Sequence, residues 1–250
     1  MEAWQIVSCG RQILKRGILC VASCIAMLKI GPVLLMALSM FISIAVYAVA
    51  FGLKFAIGFV LLLLVHEYGH VIAAKVVGLR VSSPIFIPFI GAVIGIKDLP
   101  LHAKAEASVA IGGPAMGTLS ALLCLVVYLW SNHPLLLVLS YTACLLNLFN
   151  LIPCDPLDGG RIATAISPRL WWLGSIIMGI LFIYTYNVFV FIILMVSLIR
   201  LWQNNEGDVP FSYYQLTINQ RLAVVLWYLG LVMVLSGTTL YILGILNEGF

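Results

Sequence analysis

The chain has 250 residues, 63% hydrophobic and 9% charged, with a formal net charge of +4 and a mean hydropathy of +1.15. Such a composition cannot cover a soluble surface, and the modest, scattered charge bears on membrane topology, so nucleic acid is excluded as a partner. Long apolar runs without recurring short alternating strands exclude a transmembrane barrel and predict an all-α polytopic membrane protein.

The N-terminal segment 1–31 reads as amphipathic and interfacial, because Arg11, Lys15 and Arg16 stand among apolar residues. Gly17–Leu28 is too short to span alone, and Val21-Ala22-Ser23-Cys24 resembles a lipoprotein cleavage box. A further hydrophobic span follows almost at once, which favours the interfacial reading. Pro32–Phe51 and Phe55–Ala74 are predicted spans joined by a very short turn. Gly78–Lys97 breaks the pattern. Ser82, Ser83, Pro84, Pro88, Gly91 and Gly95 punctuate β-branched and aromatic residues there, which predicts a small membrane-associated β-hairpin or re-entrant segment.

Ala105–Trp130 is the next span, interrupted by Gly112-Gly113-Pro114, and Leu135–Pro153 follows a short turn. Leu170–Trp202 exceeds one span and is either one long tilted helix or a tight hairpin of short helices. The polar loop Gln203–Gln220 leads to the last span, Arg221–Leu246. The expected architecture is a bundle of about six transmembrane helices. It divides into the segment 1–31, a catalytic membrane core 32–166 and C-terminal helices 167–250. The six cysteines form no C-x-x-C pair and read as small buried hydrophobes, with Cys154 singled out for its polar surroundings.

His66-Glu67-Tyr68-Gly69-His70 lies inside the second span. Residues four apart share a helix face, so both imidazoles can turn toward one Zn²⁺. Glu67 lies one residue round, able to reach a water on that metal without ligating it. Ionisable groups are costly in hydrocarbon, so this cluster is a functional hypothesis by default. Lys75, Arg80, Lys97 and Lys104 follow the motif, whereas Ser131–Pro134 carries no Lys or Arg. The positive-inside rule therefore places the site toward the cytoplasmic leaflet, although Lys54 in the opposite loop weakens the charge argument without reversing it. At ~1.5 Å per residue, His70 lies roughly 6 Å and His66 roughly 12 Å from Ala74 along the axis.

A catalytic zinc needs a third protein ligand and an open position. His102 and His133 fall in loops on opposite sides of the membrane. Asp155 and Asp158, just after Pro153, are the best-placed carboxylates, with a helix-capping role open to either. Asp158 precedes Gly159-Gly160, which permits close approach and a sharp turn.

H-E-Y-G-H, Asn150-Leu151-Ile152-Pro153 and Pro156-Leu157-Asp158-Gly159-Gly160 together resemble the site-2 protease family of intramembrane metalloproteases. The resemblance covers roughly 55–161. It implies one Zn²⁺ per chain held by His66, His70 and Asp158, with Glu67 as catalytic base. It also implies Asn150 and Pro153 as the N-x-x-P element, whose asparagine is thought to contact substrate or intermediate. Gly112-Gly113-Pro114 resembles the family's G-P element. Three residues after that proline the family often has asparagine, where this chain has Gly117. A compact form is expected, without a PDZ-like insert or C-terminal soluble domain.

The expected function is thus zinc-dependent cleavage within membrane-spanning substrates. Locally unwound substrate would pair with Gly78–Lys97 by β-addition, with Gly91 and Val93 as candidate contact positions. Expected partners are a transmembrane protein substrate and membrane lipid; a homo-oligomer is compatible with the sequence. One rival is another membrane H-E-x-x-H protease, such as a prenyl-protein endopeptidase. It would want a glutamate third ligand, and Glu106, Glu206 and Glu248 offer no comparable setting. The other is a non-catalytic metal-binding protein or transporter, for which repeated halves and several intramembrane charges would be expected.

Overall fold

The computed structural model describes residue 31 and residues 33–80, 85–87, 91–93, 102–204 and 211–248. The segment 1–31, with its cleavage-box reading, lies outside the described residues except for Gly31. Helix α1 (Val33–Phe51) is followed after Gly52 by α2 (Leu53–Val77). Two short strands come next, β1 (Ile85–Ile87) and β2 (Gly91–Val93). Then come α3 (Ala103–Ser131), α4 (Pro134–Asn150), α5 (Asp158–Ile166), α6 (Leu170–Thr185), α7 (Val188–Asn204) and α8 (Ile218–Glu248).

Among the described residues, four helices, α1, α2, α3 and α8, are long and apolar enough to cross a membrane. The chain is an integral membrane protein. Helices α4 and α7 have 17 residues each and α6 has 16. At ~1.5 Å per residue these reach roughly 25 Å, short of a hydrocarbon core about 30 Å thick. The long apolar run Leu170–Trp202 is divided into a hairpin. Tyr186 takes the left-handed conformation with φ 49°. The Asn187 Oδ1 accepts from Phe189 N–H at 2.8 Å, which starts α7 afresh. An asparagine cap in an apolar run thus makes two short helices where hydropathy alone allows one.

Helix α2 ends at Gly78, whose φ of 84° is open only to residues tolerating the left-handed region. Leu79 N–H reaches back to Ala74 O at 2.8 Å and Gly78 N–H to Lys75 O at 3.1 Å, closing the last turn. Helix α3 runs unbroken through Gly112-Gly113-Pro114. His102 is its N-cap: Ala105 N–H donates to His102 Nδ1 at 3.1 Å. His133 is the N-cap of α4. Neither histidine lies in the interior of a span.

Helices α2 and α3 pack closely, and α4, α5 and α8 close around α3. The central cluster is built largely from alanines, among them Ala103, Ala107, Ala110, Ala121 and Ala143, with Ile162 from α5 and Leu235 from α8. Between apolar helices in lipid there is no hydrophobic gain, so close approach of small residues supplies the attraction. Polar cross-links add to it: Ser140 Oγ donates to Ala121 O at 2.8 Å, and Tyr228 OH to Leu151 O at 2.7 Å. Such bonds average only about 0.6 kcal/mol inside membranes, so small-residue packing dominates. Strands β1 and β2 pair antiparallel, with Ile85 opposite Val93 and Ile87 opposite Gly91. Strand β2 lies beside α2.

Candidate metal centre

Three side chains from two helices converge on one point. His66 and His70 project from α2, and Asp158 opens α5 from across the bundle. His70 Nε2 lies 3.2 Å from His66 Nε2, and Asp158 Oδ2 lies 3.3 Å from each of them. These residues form a group able to hold a metal ion, the one such group found among the described residues.

The outer nitrogens are engaged elsewhere. His70 Nδ1 donates to Val109 O on α3 at 2.9 Å. His66 Nδ1 is 2.9 Å from Asn147 Oδ1. Asn147 Nδ2 donates to Ala143 O at 2.7 Å, which turns the amide oxygen toward His66. Both imidazoles are therefore protonated on Nδ1 and present Nε2 inward. Two nitrogen lone pairs and a carboxylate oxygen facing one another within 3.3 Å repel unless a cation lies among them. Ligands bound tetrahedrally at ~2.0–2.1 Å stand about 3.3–3.4 Å apart, so the triangle has the dimensions of one face of a zinc site. The donor set fits the ion.

The backbone allows this convergence because α2 and α3 touch at glycine. A β-carbon on Gly112 would lie 2.5 Å from Gly69 O, and one on Gly113 would lie 2.2 Å from His70 Nε2. Helix α3 thus walls the imidazoles with main chain. Gly159 and Gly160 serve a different purpose from the sharp turn expected of them. Both lie within α5, and β-carbons there would strike Leu151 O at 2.2 Å and Asp155 N at 2.5 Å. They let α5 settle on the loop after α4, which carries Asp158 to the histidines.

Glu67 is 7% exposed and lies within electrostatic reach of His66, His70, Asp158 and Arg161. Asp155 is drawn away from the centre: its Oδ2 pairs with Arg200 Nε at 3.3 Å. Asn150 ends α4, and the buried Pro153 packs under α6, where a β-carbon on Gly174 would meet Pro153 O at 2.2 Å. Gly91 and Val93 lie on β2, beside the helix that carries the histidines. Cys154 is fully buried. Burial pushes its thiol up to about 12, so it is an inert core residue.

Near Asp158 a second polar group joins three elements. Tyr213, from the short helix Phe211–Tyr214, donates to Glu106 Oε2. Glu106 also faces Arg161 across 3.9 Å. Burial, and then the hydrogen bond to Glu106, push the Tyr213 phenol above its usual range, keeping it a donor.

Sequence reasoning missed Asn147. Its signal was available: an asparagine inside an apolar run is costly unless it has a partner.

A helical membrane protein with a buried His-His-Asp centre is the class that fold and site define. Residues 54–134 match the model of peptidase family M50. Over those residues, about a third of the chain, it is similar to that family. A curated zinc metalloprotease of Methanocaldococcus jannaschii is 34% identical over 119 residues, which cover 44% of this chain and 34% of that protein. The chain thus spans about a third of its length. The solved site-2 protease of the same organism is 24% identical, with a TM-score of 0.44, covering 71% of this chain and 87% of that one.

Proposed function

We propose that the chain is a zinc-dependent intramembrane endopeptidase of the site-2 protease type, cleaving membrane-spanning segments of protein substrates. His66, His70 and Asp158 hold one Zn²⁺, and Glu67 is the catalytic base. The observation that carries this reading is the 3.2–3.3 Å triangle of inward-facing donors, with Glu67 adjoining His66 on the same helix. The family match and the zinc metalloprotease relative support the choice of metal and reaction class.

Bound zinc supplies Lewis acidity, polarising the scissile carbonyl and the attacking water. Everything else falls to the chain. Glu67 takes the proton of that water and delivers it to the leaving amide nitrogen. Its burial keeps bulk water away, so each charge acts more strongly than in solution. Val109 and Asn147 hold the imidazoles in register. His66 is the most enclosed of the three ligands, while His70 and Asp158 are partly open, so substrate enters on their side.

A substrate helix must unwind before attack, and β2 offers its bared backbone a strand to pair with. Asn150 and Pro153 shape the loop beneath Asp158 and complete the substrate cleft. The core 32–166 is the catalytic unit of a multi-pass bundle of about six spans, with the centre open to the cytoplasmic leaflet. Lipid surrounds the bundle.

The test is co-expression with a panel of tagged single-span membrane proteins. Glu67→Gln should reduce cleavage by roughly 10²–10⁴-fold while zinc stays bound, so uncut substrate accumulates only in the variant. Equal cleavage by wild type and variant refutes the assignment, and loss of zinc would make Glu67 a ligand. Val93→Pro, which fixes φ and removes a backbone donor, should impair cleavage at unchanged zinc content. Val93→Ala should be mild, and silence of both would place substrate elsewhere.

A further inference from the structure

The two imidazoles are held by different means. His70 leans on a main-chain carbonyl, Val109 O, which no substitution at position 109 removes. His66 leans on a side chain, the Asn147 amide, 2.9 Å away on α4. Asn147 is 1% exposed, and both ends of its amide are committed. Nδ2 donates to Ala143 O at 2.7 Å, leaving Oδ1 as acceptor for His66. The opposite wall is equally specific. A β-carbon on Gly117 of α3 would lie 2.1 Å from Asn147 Oδ1 and 2.4 Å from Nδ2. The amide therefore occupies the space that Gly117 leaves empty, and Asn147 and Gly117 act as a pair across the α3–α4 interface.

We propose that Asn147 is a positioning residue for the metal centre: it selects the Nδ1–H tautomer of His66, and Gly117 provides its seat. The inference rests on the metal-site reading above. Without the Asn147 acceptor, the buried Nδ1–H of His66 loses its partner. The ring then gains by rotating or by moving its proton to Nε2, and either change removes the inward lone pair. Partners of this kind typically govern metal affinity by about 10–100-fold. Asn147 touches neither the ion nor the reacting atoms; its effect passes through His66.

The experiment uses the full chain in detergent, with zinc affinity measured by chelator competition and ligand geometry by the visible spectrum of the cobalt-loaded protein. Asn147→Leu, close in volume but without an acceptor, should lower zinc affinity by about 10–100-fold and shift the cobalt bands. Asn147→Asp keeps an acceptor for His66 but loses the bond to Ala143 O, so its affinity should fall between those of wild type and Asn147→Leu. Gly117→Ala leaves residue 147 intact but crowds its amide, and should lower affinity in the same direction. If Asn147→Leu does not fold, Gly117→Ala decides by itself, through the same affinity and spectrum. Wild-type affinity and spectrum in both Asn147→Leu and Gly117→Ala would overturn the inference, even with lowered thermal stability. Zinc-free wild type would overturn the proposed function along with it, whereas tight zinc binding by wild type and both variants would overturn this inference alone.

Discussion

The contact between helices α2 and α3, and the outward faces of α6 and α8, are similarly apolar but packed in opposite ways. At the α2–α3 contact Gly69, Gly112 and Gly113 have no room for a methyl group. In the second region Gly179, Gly230, Gly237 and Gly244 have nothing within 4 Å of where a β-carbon would stand. Large side chains there, such as Ile180, Ile183, Leu226 and Met233, point outward. Hydropathy does not separate the two regions, because lipid solvates leucine as well as a protein core does. Steric demand separates them: the His66–His70–Asp158 triangle lies where two backbones touch, whereas the outward faces of α6 and α8 need only be apolar.

The comparison can be sharpened, beginning with the change expected to matter most. Asp158→Ala should strip the centre of most of its zinc, measured by metal analysis of purified protein. Asp155→Ala, three residues away, should leave zinc in place, because its carboxylate pairs with the exposed Arg200 and not with the imidazoles. The reverse order would transfer the ligand role to Asp155.

Gly112→Ala should be next. Its methyl group would be 2.5 Å from Gly69 O and 2.6 Å from the Ala73 β-carbon, so α2 and α3 must part. Overpacking of this kind costs about 1–3 kcal/mol, visible as lower thermal stability in detergent together with weaker zinc binding. An unchanged midpoint would show that the helices yield there at no cost.

Smallest of all is Gly237→Ala on the outer face of α8. With open space around it, the change should lie within about 1 kcal/mol and be stabilising, since alanine favours a helix interior over glycine. A large loss of stability would mean that the two regions are not distinct after all.

How much of this could be read beforehand differs from residue to residue. His66 and His70 were legible because their relation is local: the helical period alone sets them on one face. The long spans were legible because bilayer thickness demands a minimum run of apolar residues. Asp158 needed a motif resemblance, since Asp155 lies just as near in sequence. The hairpin at Tyr186–Asn187 stayed ambiguous, because an apolar run of that length fits either a tilted helix or two short ones, and a local asparagine cap decides between them.

The order of amino acids was enough to specify the membrane class, the paired histidines with their adjoining glutamate, and the two candidate aspartates. It took the folded chain to show that Asp158 reaches the imidazoles while Asp155 turns to Arg200, and that Asn147 orients His66 in the space left by Gly117. The physical reason is range. Helical period and hydropathy act over a few residues and a bilayer's width, whereas ligand closure depends on contacts between helices far apart in the chain, where a few tenths of an ångström determine which side chain fits.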